Sequence, residues 1–178
     1  QMPGIGMTLD ALSEASFIWV IGGDIRRDQP LLNHRIRQAR QAGATTLLLH
    51  GIDPDANFTW DEQHLLSPAY WDAWLASLGV ELFKSSSSEM PKNVDCKLAL
   101  FDDAIKRFVK HCKNASSGVI LLGQACIHHP HFDSIFKRLH WIAKLTGLQI
   151  AQVTDGANSA GLWLAGVTPE HGPGREPL

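Results

Sequence analysis

The chain has 178 residues, of which 44% are hydrophobic and 19% are charged, and its formal net charge at pH 7 is -2. This length and composition predict a single globular domain over residues 1–178, large enough to bury a core of its own. The small negative charge gives no electrostatic reason to bind nucleic acid, and the longest apolar runs fall far short of the roughly 18 residues of a membrane helix. Neither nucleic-acid binding nor direct membrane insertion is therefore expected.

The first long apolar run predicts a strand that leads through a glycine turn into a helix. Residues 17–21, FIWVI, are rich in β-branched and aromatic types, as in a strand that is buried on both faces. Pro30 suits the first position of the amphipathic helix that follows, and Asp28 or Gln29 is a candidate for capping it. The next apolar run, at residues 45–50, completes a βαβ unit and implies a parallel sheet.

Later segments repeat this alternation of strands and helices. Strands are predicted at residues 118–122 and 148–153, and helices at about residues 68–78, at about residues 95–113 and between Pro130 and Gly147. The alternation predicts a doubly wound α/β fold, with a mainly parallel sheet and helices on both faces.

Residues 51–97 are predicted to form an excursion of helix and loop between the second and third of these strands. Three tryptophans lie in it, at Trp60, Trp71 and Trp74. Tryptophans at helical spacing are more often core residues than ligand platforms, and the alternative is a surface for a partner protein. The run of serines within residues 84–92 predicts a mobile loop.

Open α/β sheets bind ligands at the carboxyl ends of their strands, which makes the loops after the predicted strands the candidate sites. These loops are residues 22–29, 51–55, 123–130 and 155–161. The first contains Gly22 and Gly23 without the glycine spacing of dinucleotide-binding or phosphate-binding motifs. Asp24, Arg26 and Arg27 stand beside a helix N-terminus and could hold an anion. The alternative is a solvated turn with two surface arginines.

The possible metal ligands lack the spacing of known metal sites. The three cysteines, which are separated by 16 and 14 positions, are Cys96, Cys112 and Cys126. This spacing fits reduced thiols better than a disulfide framework or an iron-sulfur cluster. His128, His129 and His131 lack the i, i+4 pairing of helical zinc sites. No metal is therefore expected in this chain.

Three strings of the sequence carry a family resemblance. They are VIGGDIRRDQPLLNHRIRQARQAGA at residues 20–44, LLGQACIHHPHFDSI at residues 121–135 and DGANSAGLWLAGVTPEHGPG at residues 155–174. Together they resemble the C-terminal part of the large iron-sulfur subunit of bacterial NADH-quinone oxidoreductase, respiratory complex I. That part has the fold of molybdopterin-dependent oxidoreductases such as formate dehydrogenase.

The resemblance implies that the chain is a fragment of a longer subunit that takes part in electron transfer from NADH to quinone. The full-length subunit is expected to carry iron-sulfur clusters in an N-terminal region that precedes Gln1. The other subunits of complex I are the expected partners, in the peripheral arm on the cytoplasmic face of the inner membrane. The fragment alone is expected to be inactive.

In the related molybdoenzymes, the loop that matches residues 22–27 helps to hold a pterin nucleotide. Those enzymes typically have G-x-N-P at this turn and D-P-R after the next strand, where this chain has Gly-Gly-Asp-Ile and Asp53-Pro54-Asp55. Replacing an arginine by a carboxylate is unfavourable for binding a pyrophosphate. The resemblance therefore implies a scaffold without catalytic residues and without its own cofactor.

The loops of such a scaffold would be vestigial at seven positions. These are Gly22, Gly23, Asp24, Arg26, Arg27, Asn158 and Ser159. Residues 155–161 are expected to form a structural turn in which Asn158 or Ser159 caps the following helix. The alternative is a fragment of a molybdopterin-dependent oxidoreductase, or of a related formyl-transferring complex subunit, that still binds a pterin nucleotide.

Overall fold

The computed structural model describes residues 4–84, 102–113, 115, 117–154, 156 and 158–167. The serine-rich segment from residue 85, the first part of the helix predicted at residues 95–113, and Cys96 lie outside these residues.

Five strands of the described residues form one sheet. They are β1 (Phe17–Ile21), β2 (Thr45–His50), β3 (Glu62–Leu65), β4 (Gly118–Leu122) and β5 (Gln149–Gln152). Their order is β3-β2-β1-β4-β5, and every neighbouring pair is parallel. The predicted α/β fold and its four parallel strands are thus confirmed.

Strand β3 is absent from the sequence-based prediction, which has only turns and a helix in this part of the chain. Its four residues, EQHL, contain no β-branched residue, and their burial alternates between half-buried and exposed. It is an edge strand paired only with β2, so the continuous apolar run of a central strand is not required.

The described residues contain helices close to the predicted positions and also two helices of only four residues that the sequence does not predict. In chain order, the helices are α1 (Leu9–Ser13), α2 (Ile25–Asp28), α3 (Pro30–Gln41), α4 (Trp71–Lys84), α5 (Asp102–Lys113), α6 (Gln124–Ile127), α7 (Phe132–Thr146) and α8 (Ser159–Leu164). A 3-10 turn at Pro68–Tyr70 precedes α4, so this helix starts later than predicted. It also ends later than predicted, at Lys84. No helix within the described ranges has both the length and the hydropathy to cross a membrane.

Both faces of the sheet are covered. On one face, Trp19 and the other odd-numbered residues of β1 pack against the apolar residues of α4, α5 and α7. On the other face, Ile18 and Val20 pack against α1 and α3. All five residues of β1 are fully buried, which is why an unbroken apolar run predicts this strand correctly.

The helix ends differ from the predictions in two places. Gln29 precedes α3 without a capping hydrogen bond from its side chain, and Asp28 belongs to the short helix α2, which the buried Ile25 anchors. Helix α7 begins at Phe132, because Pro130 lies in a turn between α6 and α7. Gly147 ends α7 in the left-handed conformation with φ 75°, as predicted.

His64 of β3 is packed among aromatic rings at the edge of the sheet. Its ring centroid lies 5.1 Å from that of Trp74 and 5.6 Å from that of Phe108. Burial lowers the pKa of His64 from 6.5, the Arg107 charge adds to this, and the Glu62 charge opposes it. Burial also lowers the pKa of His50, at the end of β2.

A histidine whose pKa is lower in the folded state binds fewer protons there than in the unfolded chain. The free energy of unfolding is therefore expected to fall as the pH is lowered through about 6.5, since the unfolded state takes up the proton first. His64→Phe is expected to flatten this dependence, with His50 accounting for the remainder. Urea titrations between about pH 7.5 and about pH 5.5 measure the slope.

His34→Gln is the matched control, because His34 is exposed on α3. It is expected to keep the slope of the native chain. A slope that is unchanged in His64→Phe would contradict the assignment.

Candidate functional site

The order of the strands places a switch point between β1 and β4. From β1 the chain proceeds to β2 and β3 on one side, and it then crosses to β4 and β5 on the other. Ligands of this fold class bind beyond the carboxyl ends of the two strands at such a point. The loop with Gly22 and Gly23 and the loop that begins at Gly123 are therefore the walls of the candidate site.

Gly22 makes a turn that a side chain cannot occupy. Its φ is +64°, and an added Cβ would lie 2.6 Å from the backbone nitrogen of Cys126 and 2.9 Å from the ring of Trp71. The amide of Gly22 donates to Leu49 O at 2.8 Å, while its carbonyl accepts from the amide of Ala125 at 2.9 Å. The glycine thus joins the ends of β1, β2 and β4 through its backbone.

Gly23 and Gly123 bring the two walls into direct contact. A Cβ added to Gly123 would overlap the backbone of Gly23, and one added to Gly23 would lie 3.3 Å from the Cα of Gly123. The amide of Gly123 also donates to Ile21 O at 2.8 Å. At this point the space between the two turns is smaller than a methyl group.

Trp71 lies beside Gly22 and is held there by contacts of its own. Its indole Nε1 donates to Leu66 O at 2.8 Å, and its ring stacks on His129 with centroids 5.9 Å apart. His129 accepts from the amide of His131 at Nδ1, and its Nε2 lies 3.1 Å from Pro68 O. Helical spacing predicts that Trp71 lies on the apolar face of a helix. It does not predict that Trp71 is a neighbour of Gly22.

The two arginines of the first loop are both paired with carboxylates. Arg26 forms an ion pair and a hydrogen bond with Asp55, and Arg27 lies 3.4 Å from Asp24. The Asn57 backbone N–H and the Arg26 side chain lower the pKa of Asp55. The positive charges that could hold an anion are therefore already balanced by carboxylates of the same loops.

The turn at residues 156–161 differs in part from the prediction. Gly156 has φ +83°, as expected for a tight reversal, and the helix α8 follows it. Asn158 occupies the N-cap position, but its side chain makes no capping hydrogen bond. The side chain lies instead over Gly161, where an added Cβ would overlap it. Of the two residues predicted as alternative caps, Asn158 and Ser159, the prediction is therefore wrong for Asn158.

The thiols and histidines do not assemble a metal site within the part of the chain that is described. No group of three or more His, Cys, Asp or Glu residues there is placed to hold a metal ion. Cys112 and Cys126 are buried and unpaired, and burial raises the pKa of each to about 12. These two thiols are core residues and are chemically quiet at neutral pH.

The contact between the two glycine turns predicts the effect of Gly123→Ala. The backbone of Gly123, with φ -90° and ψ 179°, suits any residue, so only the lack of space opposes a methyl group. The substitution is expected to lower the free energy of unfolding by about 2–3 kcal/mol, as for overpacking of a core, and urea titration measures the change.

Gly51→Ala is the matched control, because the nearest atom to its added Cβ is Pro68 Cδ at 3.2 Å. It is expected to cost less than about 1 kcal/mol. Equal losses in the two variants would show that the backbones at the switch point are not in tight contact.

Comparison with known proteins identifies the family. The model of the molybdopterin oxidoreductase family matches residues 4–161, and the chain belongs to that family. Comparison with curated proteins gives no match.

Comparison with solved structures supports the fold. The chain is similar, with a TM-score of 0.57 and 16% sequence identity, to a chain of the formyltransferase/hydrolase complex (FhcABCD) from Methylorubrum extorquens, solved in complex with methylofuran. The alignment covers 98% of this chain and 48% of the other, so the chain spans about half the length of its structural relative.

A pterin nucleotide, the cofactor implied by the family, does not fit the residues at the switch point. Gly23 and Gly123 touch at the base of the crevice, directly after the paired ends of β1 and β4. Arg26 and Arg27, the nearest cations, are held by Asp55 and Asp24. A pyrophosphate that binds these arginines would have to displace the two carboxylates.

Proposed function

We propose that this chain is a structural and interaction domain of bacterial NADH-quinone oxidoreductase. In this proposal the fold of the molybdopterin oxidoreductases is kept as a scaffold, and the pterin nucleotide is not bound. The observation that carries the proposal is the pairing of Arg26 and Arg27 with Asp55 and Asp24 above the tight Gly23–Gly123 contact, because it leaves no unpaired arginine in the first loop to hold a pyrophosphate. In this proposal five residues of the first loop hold the loops together and do not contact a substrate. They are Gly22, Gly23, Asp24, Arg26 and Arg27.

The assignment to complex I rests on the resemblance of three sequence strings, taken together, to the large iron-sulfur subunit of that complex. The string at residues 20–44 contains the glycine pair and α3, and the string from residue 155 contains the Asn158 contact with Gly161. Both strings therefore contain tight contacts that support the loops. Their presence is consistent with a role as a scaffold.

The second candidate is a domain that binds a pterin nucleotide, either in a molybdopterin-dependent oxidoreductase or in a formyl-transferring complex. Within this second candidate, the similarity to a chain of the formyltransferase/hydrolase complex favours a formyl-transferring complex over a molybdopterin-dependent oxidoreductase. In this candidate Arg26 and Arg27 would have to exchange their carboxylate partners for the phosphates on binding.

Calorimetry with GDP tests whether the scaffold retains a nucleotide site. We expect no saturable heat at GDP concentrations up to about 1 mM, a range in which a specific site with a micromolar Kd is readily detected. Saturable binding that is lost in Arg26→Ala, with an unchanged Tm, would support the second candidate and overturn the first.

Co-purification tests the identity of the complex. The full-length subunit, tagged and purified from membranes of its own organism, is expected to bring with it iron-sulfur proteins and NADH-ferricyanide reductase activity. Co-purification of formyltransferase subunits without that activity would overturn the assignment to complex I.

A further inference from the structure

A cavity beside the end of β2 has the composition of a site for a cation. Its volume is about 450 Å³. Its lining residues are Asp53, Pro54, Asp55, Ala56, Phe58, Thr59, Trp60 and Gln63. Two of these residues are carboxylates, two are aromatic, and none is basic.

Asp53 supplies a negative charge that no cation of the described residues pairs with. Its Oδ1 accepts a hydrogen bond from Gln63 Nε2 at 2.7 Å, and this neutral donor fixes the carboxylate without neutralising it. Asp55 differs, because Arg26 already pairs with it from outside the cavity lining. Among the described residues, Asp53 forms no ion pair. The cavity therefore carries about one uncompensated negative charge.

Phe58 and Trp60 provide an aromatic surface beside this charge. Their ring centroids are 4.7 Å apart with an interplanar angle of 59°. Both side chains are half-buried and pack against the core on the α3 side of the sheet, while their remaining surface lines the cavity. A cation over such rings is attracted by their negative faces.

The loop that carries the rings is held in one conformation. Asn33, which is buried on α3, donates from Nδ2 to Ala56 O at 3.2 Å. The other end of the same amide, Asn33 Oδ1, is buried without a hydrogen-bond partner in the described structure. Asn57 stands in the left-handed region with φ 62°, and its amide donates to Asp55 Oδ1 at 3.3 Å. The cavity is thus formed before any ligand arrives.

A second cavity lies on the other side of Phe58 and Thr59, and its charge differs. It has a volume of about 480 Å³ and is lined by Arg37 and Arg40 in addition to Asp61. Arg40 pairs with Asp61, while Arg37 is exposed and makes no ion pair within the described ranges. A cation is therefore attracted to the cavity at Asp53 and repelled from its neighbour.

We propose that the cavity at Asp53 binds an arginine side chain of a partner subunit. A guanidinium is planar, donates two hydrogen bonds to one carboxylate and stacks on aromatic rings, which matches the arrangement of Asp53, Phe58 and Trp60. The ammonium of a lysine is more strongly hydrated and lacks the planar surface. This proposal rests on the proposed function as an interaction domain, and it gives Trp60 a role that the buried Trp71 and Trp74 do not share.

Titration with N-acetyl-arginine amide, followed by two-dimensional NMR of the indole N–H signals, tests the proposal. The chain has six tryptophans, and Trp60→Phe identifies the signal of Trp60. We expect that signal to shift saturably with a Kd of a few mM, about the strength of one side chain without the rest of its protein. N-acetyl-citrulline amide, which has the same shape without the charge, is expected to shift it at least about fivefold less.

Asp53→Asn is expected to weaken arginine binding at least about fivefold and to leave the other signals in place, because the Asp53 side chain is exposed. The matched control is Asp10→Asn, which removes an exposed carboxylate on α1 that does not line the cavity. It is expected to leave the binding unchanged. The proposal is overturned if the Trp60 signal does not move up to about 50 mM arginine derivative. It is equally overturned if citrulline or magnesium chloride alone moves the signal as much.

This titration contains neither a nucleotide nor a partner subunit, so its result is separate from that of the calorimetry. Binding of GDP would overturn the proposed scaffold function and leave the arginine cavity intact. A failed arginine titration would overturn the cavity and leave the scaffold function intact.

Discussion

The close approach of two backbone turns at the ends of β1 and β4 is the constraint on which the candidate site depends. Gly23 and Gly123 touch, and Gly22 turns its backbone toward Trp71 in a conformation that other residues rarely adopt. These contacts join the two halves of the sheet at the point where a doubly wound fold normally leaves a crevice. In other proteins, glycines after a strand allow the backbone to approach a phosphate closely. In this chain they allow one backbone turn to approach another. A glycine motif alone does not distinguish the two uses.

The electrostatics of the loops agree with the packing. Arg26 pairs with Asp55 of the loop after β2, and Arg27 pairs with Asp24 within the first loop. Exposed pairs of this kind add little stability, but they remove the free positive charge that would attract an anion. Asp53 lies on the neighbouring loop and forms no ion pair with any residue that the structure describes. Recognition by this domain is therefore expected to favour a cation on the loop surface.

The sequence is sufficient to predict the buried parts of the fold and insufficient for the contacts of the site. Strand β1 and strand β4 are continuous apolar runs, and their parallel pairing follows from the helical crossovers. Strand β3 lies at the edge of the sheet with only one neighbouring strand, and its residues are mostly polar. Its sequence therefore lacks the alternation of apolar and polar residues that would predict a strand. Helices α2 and α6 have four residues each, fewer than a periodic pattern needs. The glycine contact joins positions about a hundred residues apart and leaves no local signal.

The three tryptophans of one segment show why residue type does not assign a role. Trp71 and Trp74 are at helical spacing on α4 and are almost fully buried, as amphipathic periodicity predicts. Trp60 precedes β3 in a loop whose shape depends on the left-handed Asn57 and on the bond from Asn33 to Ala56. Its ring is consequently held half-buried, beside a carboxylate that is fixed but not neutralised. Burial of the first two contributes to the core, whereas partial burial of the third keeps an aromatic surface available, and only a surface of that kind can bind a partner's side chain.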